Sequence, residues 1–448
     1  MKNLKCLLVH TPRLNNQNCK ITSDINYIAM GLFSLAGELA KNDFDAKILH
    51  LGVEKYLNKN FKLSSYIKEN NIKLLALSLQ WNFPCYDVIE TARVIKNECP
   101  DVFIVLGGYT ASFFAKEILE KFCFIDAVIK GEGEIPIVSL AQALENRQML
   151  NGVENLYWRK NGQIVLNDKL FIASSLDLDT FSFFNPEYML HYEEYSKIPF
   201  ILDYSQENQL TSPASGQGIC LGRGCLGNCV WCGGGFLAEK KVSGRNFISY
   251  RSPDSVISEI KMMKNEYNIE FFRFSFDPNP NDRSFLIDLF NKMASEFKEK
   301  LNILYNIDGL PDKDFLDAYN AAASSASTLF MSPVCYNEEI RKKYKSFFYT
   351  NKQLEETLTY MSSLGLKSEI YFSEIPGIEE SENEKSKEYA DYLKSYYSCV
   401  SDAYCYEMTV VPASPWTENP DKYNIKEFPK TFTDYYNLNK SFENSFEL

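Results

Sequence analysis

Short apolar runs alternate with helical patterns over residues 1–145. Residues 5–10, 46–51, 74–78, 103–106 and 127–129 read as strands. Between the first two, Ile28, Leu32, Leu35 and Leu39 recur at helical spacing and form one apolar stripe. Residues 86–98 and 111–121 carry the same signature. Strands parted by helices of this length need crossover connections, and hence a parallel sheet. The pattern predicts a five-stranded, doubly wound α/β domain, Rossmann-like in layout. Such sheets bind ligands beyond the carboxyl ends of their strands.

Over residues 146–215 the alternation lapses into a connector. Residues 156–159 and 163–166 flank Asn161-Gly162, which predicts a hairpin with a tight turn. Residues 177–199 are aromatic and acidic without a clear period, and 208–218 read as loop. From residue 216 the alternation returns, with strands at 271–276, 303–308, 328–331, 368–372 and 403–410. Ser252-Pro253 marks a helix start between them. With a strand just before Cys220, this gives six βα units and predicts a partial, TIM-like (β/α)6 barrel over 216–416. Its chemistry is expected at the carboxyl rim. Residues 417–448 form a polar, aromatic extension with weak periodicity.

The composition is that of an ordinary globular protein, 45% hydrophobic and 24% charged over 448 residues. Fifty-nine acidic residues against 47 basic ones give a net charge of −12, which argues against a nucleic-acid or membrane-surface partner. No apolar run is long enough to span a bilayer, and the start lacks a signal-peptide core. A cytoplasmic location is expected, where the twelve cysteines stay reduced and serve as buried thiols, metal ligands or catalysts.

Four of those cysteines, Cys220, Cys225, Cys229 and Cys232, fall within thirteen residues. Thiolates this close repel one another unless a cation neutralises them. A closed zinc site of all four is one reading. The other is a [4Fe–4S] cluster on Cys225, Cys229 and Cys232, with one iron left open to a small molecule. Structural zinc sites join knuckles distant in sequence, whereas all the thiols here share one loop after one strand, where a barrel places its active site. Cys220 then reads as a buried small residue.

The Cys225-x3-Cys229-x2-Cys232 spacing, with Trp231 before the last cysteine, resembles the radical S-adenosylmethionine (SAM) superfamily. The resemblance implies that the three cysteines hold the cluster, that SAM binds the open iron, and that one electron cleaves SAM to a 5′-deoxyadenosyl radical. By position it places Trp231 near the adenine and Asp277, after Phe271–Phe276, at the SAM amino group. It also places Gly377, in Glu374-Ile-Pro-Gly377, near the adenosine, with residues 411–416 closing the site.

Residues 1–145 resemble the cobalamin-binding domain that precedes the barrel in one large branch of that superfamily. Leu106-Gly107-Gly108-Tyr109 and Lys130-Gly131-Glu132-Gly133-Glu134 stand where the branch has glycine-rich loops. Ser78, Gly107 and Gly108, with Gly131 and Glu132, are therefore expected at the cobalamin. The Asp-x-His-x-x-Gly motif that supplies a cobalt ligand elsewhere is absent. His10 lacks its flanking residues, so cobalt is not expected to be held by histidine. Trp81 either shields the lower face of the cobalt or packs between domains.

The family resemblance implies a cobalamin-dependent radical SAM enzyme. Most such enzymes are methyltransferases acting on an unactivated carbon of a small molecule or peptide through methylcobalamin. An electron donor such as flavodoxin or ferredoxin is implied. Alternatives are a non-methylating enzyme of cyclisation, ring contraction or rearrangement, and a cobalamin- or redox-responsive binding protein. Cys335 and Tyr336 are weak catalytic candidates as hydrogen-atom donors on the rim, with packing as the other reading of Cys335.

Overall fold

The first sheet forms from strands that are apolar on both faces. The computed structural model describes residues 2, 4–12, 28–197 and 217–443. Cys19 and most of the 208–218 stretch lie outside these. Strands β1 (Lys5–His10), β2 (Asp45–His50), β3 (Ile72–Ser78), β4 (Phe103–Gly107) and β5 (Ala127–Ile129) are parallel and ordered β2-β1-β3-β4-β5. Leu7, Val9, Leu75, Leu77 and Leu106 bury against helices on one face, and Leu8, Leu74, Val105 and Ile129 on the other. Burial on both faces explains why these strands read as continuous apolar runs.

The hairpin, β6 (Leu156–Lys160) and β7 (Gln163–Leu166), turns at Asn161 and Gly162 with φ of 52° and 80°. Two consecutive positive φ values are what a tight two-residue turn requires. The hairpin pairs antiparallel with β5 and widens the first sheet to seven strands. The sheet thus runs past residue 145 into the stretch expected to be a connector.

The second sheet begins with β8 (Gln217–Gly218). The small ribbon β9 (Gly222–Arg223) and β10 (Ser249–Tyr250) follows, then β11 (Phe271–Phe274), β12 (Asn302–Ile307), β13 (Thr328–Val334), β14 (Ser368–Glu374) and β15 (Val400–Glu407). Six parallel strands run β15-β14-β13-β12-β11-β8, in chain order across the sheet. Outward residues such as Phe272, Phe274, Ile303, Leu329 and Ile370 pack under the helices. The alternate positions face the lumen of a partial barrel. Ser252 caps the helix Pro253–Tyr267 by accepting from Ser255 N.

The two domains are joined by buried ions. Arg223 donates to Glu132 at 2.8 Å and also pairs with Glu134, whose second donor is the Ser34 hydroxyl at 2.7 Å. Arg245 donates through Nε to Glu132 at 2.8 Å and to the Ala173 carbonyl at 2.7 Å. Burial alone would raise the Glu134 carboxyl. The charge and hydrogen bonds of Arg223, with the Ser34 bond, hold it below the ordinary glutamate value instead. The four charges come from the loop after β5 and from the segments on either side of the cysteine loop.

The carboxyl-terminal extension returns to the first domain. The helix Phe432–Glu443 buries Phe432 and Tyr435 in its core. Glu117 accepts from the backbone of Phe432 at 2.9 Å, and Asn439 donates to the Asn82 carbonyl at 3.2 Å. Phe432, Tyr435, Tyr436 and Asn439 stand at helical spacing on the face turned to that core.

Removing Arg223 leaves Glu134 as an uncompensated buried charge. Arg223→Met should lower stability by about 3–5 kcal/mol, read by urea unfolding at neutral pH. Because the folded carboxyl is held low, its contribution is present above the ordinary glutamate value and is lost as pH falls through the folded one. Glu134→Gln should therefore flatten that part of the acid limb. An unchanged midpoint in Arg223→Met would refute the assignment.

Candidate active site

Chain reversal around the cysteines depends on glycines. Gly224 has φ of 96°, and a side chain there would meet the Phe247 carbonyl at 2.3 Å. Gly233 would meet the Pro412 carbonyl at 2.7 Å, so the loop after β15 lies against the cysteine segment. Leu226 N donates to the Pro278 carbonyl at 2.9 Å, Val230 N to that of Tyr344 at 2.9 Å, and Trp416 N to that of Val230 at 3.2 Å. Three separate rim loops thus fix the cysteine loop at the carboxyl end of the barrel.

Each of the three motif sulfurs accepts one backbone N–H. Gly227 donates to Cys225 at 3.2 Å, Ser346 to Cys229 at 3.5 Å and Gly234 to Cys232 at 3.3 Å. Burial pushes Cys225 up to about 12 and Cys232 up to about 11, and the neighbouring thiols add to the rise. Without a cation these two groups stay protonated at neutral pH. Among the described residues no three His, Cys, Asp or Glu side chains converge as one metal ion requires. The three sulfurs share one loop and each has its own N–H donor, a set whose chemistry fits the cysteines of an iron–sulfur cluster. Cys220 stands apart, buried with Ala173, Leu178, Phe181 and Phe183.

Asp308, just past β12, lies deep in the barrel mouth yet opens onto solvent, so it lines a cavity. Burial raises its carboxyl, and the buried Lys345 opposes the rise. The Lys345 ammonium donates to the Ser332 carbonyl at 2.7 Å and stands 5.9 Å from the Trp231 ring. Farther down the lumen, Arg273 donates to Asn306 at 3.2 Å, and Tyr371 stacks on Tyr404 at 6.2 Å. The mouth is charged and the interior is aromatic.

Several expected SAM residues have other duties. The Asp277 carboxylate is fully buried. It takes two hydrogen bonds from Arg283, at 3.0 and 2.8 Å, and two from the backbone of Asp308 and Gly309, at 2.9 and 3.0 Å. Closed off from solvent and held by Arg283, Asp277 is a strand-end brace. Gly377 has φ of 83°, and a side chain there would meet the Tyr423 carbonyl at 2.3 Å, so it serves the extension. Cys335 is fully buried in a packed cluster, and Tyr336 lies outside the lumen against Tyr389 at 4.9 Å. A left-handed Val334, φ 73°, turns the chain away from the rim before both.

In the first domain, His10, Ser78 and Gly107 are register neighbours at the carboxyl edge. A Cβ on Gly107 would meet nothing within 4 Å, which leaves a cradle open to a ligand. Gly108 differs: with φ of 102°, its Cβ would clash with Leu79 backbone at 2.7 Å, so it serves the β3–β4 contact. Trp81 is 59% exposed, which removes the packing reading and leaves a large apolar ring free at that edge. Gly131 and Glu132 do not line the edge. A Cβ on Gly131 would meet Ser243 at 2.9 Å, and Glu132 is saturated by Arg223, Arg245 and the Ala173 N–H.

Sequence reasoning missed Tyr109. It packs with Ala238, Val242 and Ala413, and its buried hydroxyl has no partner among the described residues. Burial raises the phenol, and the charges of Glu239 and Cys232 add to the rise. An orphaned donor between the Gly107 cradle and the cysteine loop fits a ligand bound where the two domains meet. Its position after a glycine pair was the available signal. Asp308 and Lys345 gave none, because their roles depend on what lies opposite.

Residues 21–141 match the B12 binding domain family, and residues 219–393 match the Radical SAM superfamily. An uncharacterized methyltransferase, PH0819, of Pyrococcus horikoshii is 25% identical over 66% of this chain and 58% of its own length. The anaerobic magnesium-protoporphyrin IX monomethyl ester cyclase of Rubrivivax gelatinosus is 24% identical over 53% of this chain and 40% of its own. The chain thus spans about half the length of these curated relatives. The radical SAM methyltransferase TsrM from Kitasatospora setae superposes with a TM-score of 0.69 at 15% identity, covering 93% of this chain and 76% of that one. The chain thus carries a match to the B12 binding domain followed by one to the Radical SAM superfamily, within a fold it shares along nearly its whole length with that methyltransferase.

Proposed function

We propose that this protein is a cobalamin-dependent radical SAM methyltransferase acting on an unactivated carbon of a small molecule or peptide. The observation that carries the reading is the cysteine loop. It presents three sulfurs, each with a backbone N–H, beside the open carboxyl edge of the first sheet. Cys225, Cys229 and Cys232 would hold the cluster, while Ser78, Gly107 and Trp81 would border the cobalamin. When bound, these groups supply one-electron cleavage of SAM and carriage of a methyl group.

The chain's own residues hold and orient. Arg283 fixes Asp277 and thereby the Asp308–Gly309 turn at the barrel mouth. Asp308 and Lys345 offer opposite charges to a zwitterionic ligand there. The ion cluster around Arg223 keeps the first-domain edge over the mouth and excludes water from the junction. A reducing, cytoplasmic setting and an electron donor such as flavodoxin or ferredoxin belong to the same reading. A second reading, ring formation or rearrangement without methyl transfer, draws on the similarity to the cyclase.

Anaerobically reconstituted protein should convert SAM to 5′-deoxyadenosine with dithionite. Changing all three motif cysteines to Ala should abolish the product, while Cys220→Ala should retain both iron and product. Loss of iron in Cys220→Ala equal to that in Cys229→Ala would contradict the three-cysteine site. Quantifying methylated product against deoxyadenosine, once a substrate is found, separates the two readings.

The first domain should bind cobalamin without a histidine ligand. Paramagnetic resonance of cobalt(II) should lack nitrogen splitting, and His10→Ala should leave binding unchanged. Gly107→Trp should block binding without unfolding, because it fills only the cradle. A nitrogen-split signal removed by His10→Ala would overturn the ligation claim, and failure of folded protein to bind any corrin would overturn the domain's role.

A further inference from the structure

Strand pairing sets one row of side chains across the barrel lumen. Asn306 pairs with Phe330, Phe330 with Glu369, and Glu369 with Asp402. Their chain neighbours Tyr305, Ile307, Leu329, Met331 and Ile370 are buried under the outer helices, so the row itself faces inward. Two residues farther along β14, Tyr371 pairs with Tyr404 and faces the same way. Its ring stands 6.2 Å from that of Tyr404 and 5.8 Å from that of Tyr406. Tyr404 is 41% exposed and Tyr406 38%, so this wall of rings is open to solvent. It lies about 7 Å along the strand from Glu369, the span of two residues.

Glu369 is the polar group of the row that this chain does not close. Asn306 accepts from Arg273 at 3.2 Å. Asp402 is paired with Lys394 at 2.8 Å and accepts from Ala403 N at 2.8 Å. The Arg273 guanidinium is turned onto the Phe330 ring, 5.3 Å from its centre. Glu369 lies half-buried, and among the described residues its carboxylate takes no hydrogen bond and forms no ion pair. Burial raises this carboxyl, the charge of Asp402 adds to the rise, and that of Arg273 opposes it. A half-buried carboxylate without a donor is costly unless a ligand supplies one.

We propose that Glu369 and the tyrosine wall hold the substrate, a small molecule that carries an amine beside a flat or aromatic group. The inference rests on the enzymatic reading above and names the substrate class for it. The amine binds as an ammonium and donates to Glu369. Its charge offsets the repulsion between Glu369 and Asp402, and the Phe330 and Tyr371 rings flank it as faces that attract a cation. The flat part of the substrate lies against Tyr371, Tyr404 and Tyr406. Arg273 keeps its bond to Asn306 and leaves Glu369 to the ligand. The rest of the substrate then points toward the mouth, where Asp308 and Lys345 stand. No bond forms or breaks in this step, and the proton stays on nitrogen.

The test titrates 2-phenylethylamine into the anaerobically reconstituted protein by calorimetry, with 2-phenylethanol and 3-phenylpropanoate as neutral and anionic counterparts. The amine should bind at least about tenfold more tightly than either counterpart. Glu369→Gln should weaken the amine about tenfold or more, and Tyr404→Ala about threefold. Amine binding by the wild type should weaken as pH falls through the raised carboxyl value, and this limb should vanish in Glu369→Gln, where Asp308 and Asp402 remain. The unfolding midpoint of Glu369→Gln should not fall, because no partner is lost. Equal amine binding by the wild type and either variant overturns the proposal, as does tighter binding of 3-phenylpropanoate. A lowered midpoint in Glu369→Gln also overturns it, by making Glu369 a structural group. Wild-type protein that cleaves SAM with dithionite but takes no amine defeats this inference alone. Wild-type protein that takes the amine but cleaves no SAM defeats the enzymatic reading on which it rests.

Discussion

The ion cluster of Arg223 and Arg245 with Glu132 and Glu134 is the constraint on which the rest of the molecule depends. Its arginines flank the cysteine loop and its carboxylates follow β5, so one set of buried charges sets the loop against the first domain. Buried ion pairs rarely add net stability over apolar packing, but losing one partner is severe. The arrangement therefore specifies geometry. It leaves one docking of the two domains in which every charge is matched, and that docking brings Tyr109 toward Cys232.

Around that fixed junction the cysteine loop is built by close approach. Gly224, Gly227, Gly233 and Gly235 each meet backbone or ring atoms where a side chain would stand. The loop is shaped by its neighbours on the rim, and the sulfurs inherit their N–H donors from that shape. Three thiols gathered on one such loop are a donor set that a cation would neutralise. The junction then has two distinct sides, a ligand side at Tyr109 and a solvent side at Ser346.

Fold and cluster motif were legible because they rest on local signals. Strand and helix periods, the Asn161-Gly162 turn, the Ser252 cap and the cysteine spacing are each set within a few residues. The first sheet's extension by β6 and β7 was not legible, since a hairpin carries no mark of what it pairs with. The site beyond the cysteines was read less well for the same reason. Glu132, Asp277 and Gly377 occupy the expected chain positions, but each is consumed by a partner distant in sequence, namely Arg223 and Arg245, Arg283, and Tyr423. Trp81 could be decided only by its exposure. The return of Phe432 and Tyr435 to the first core was hidden because a stripe of Phe432, Tyr435, Tyr436 and Asn439 carries no mark of the core it packs on.

Metal content of the native protein is the most direct test of the central claim that this fold unites an iron–sulfur cluster with a corrin. Protein purified without oxygen from cells supplied with cobalamin is analysed for iron, cobalt and zinc by mass spectrometry. The account predicts about four iron atoms, from the cluster stoichiometry, and one cobalt per chain. Stoichiometric zinc without iron, or folded protein without cobalt, would contradict it.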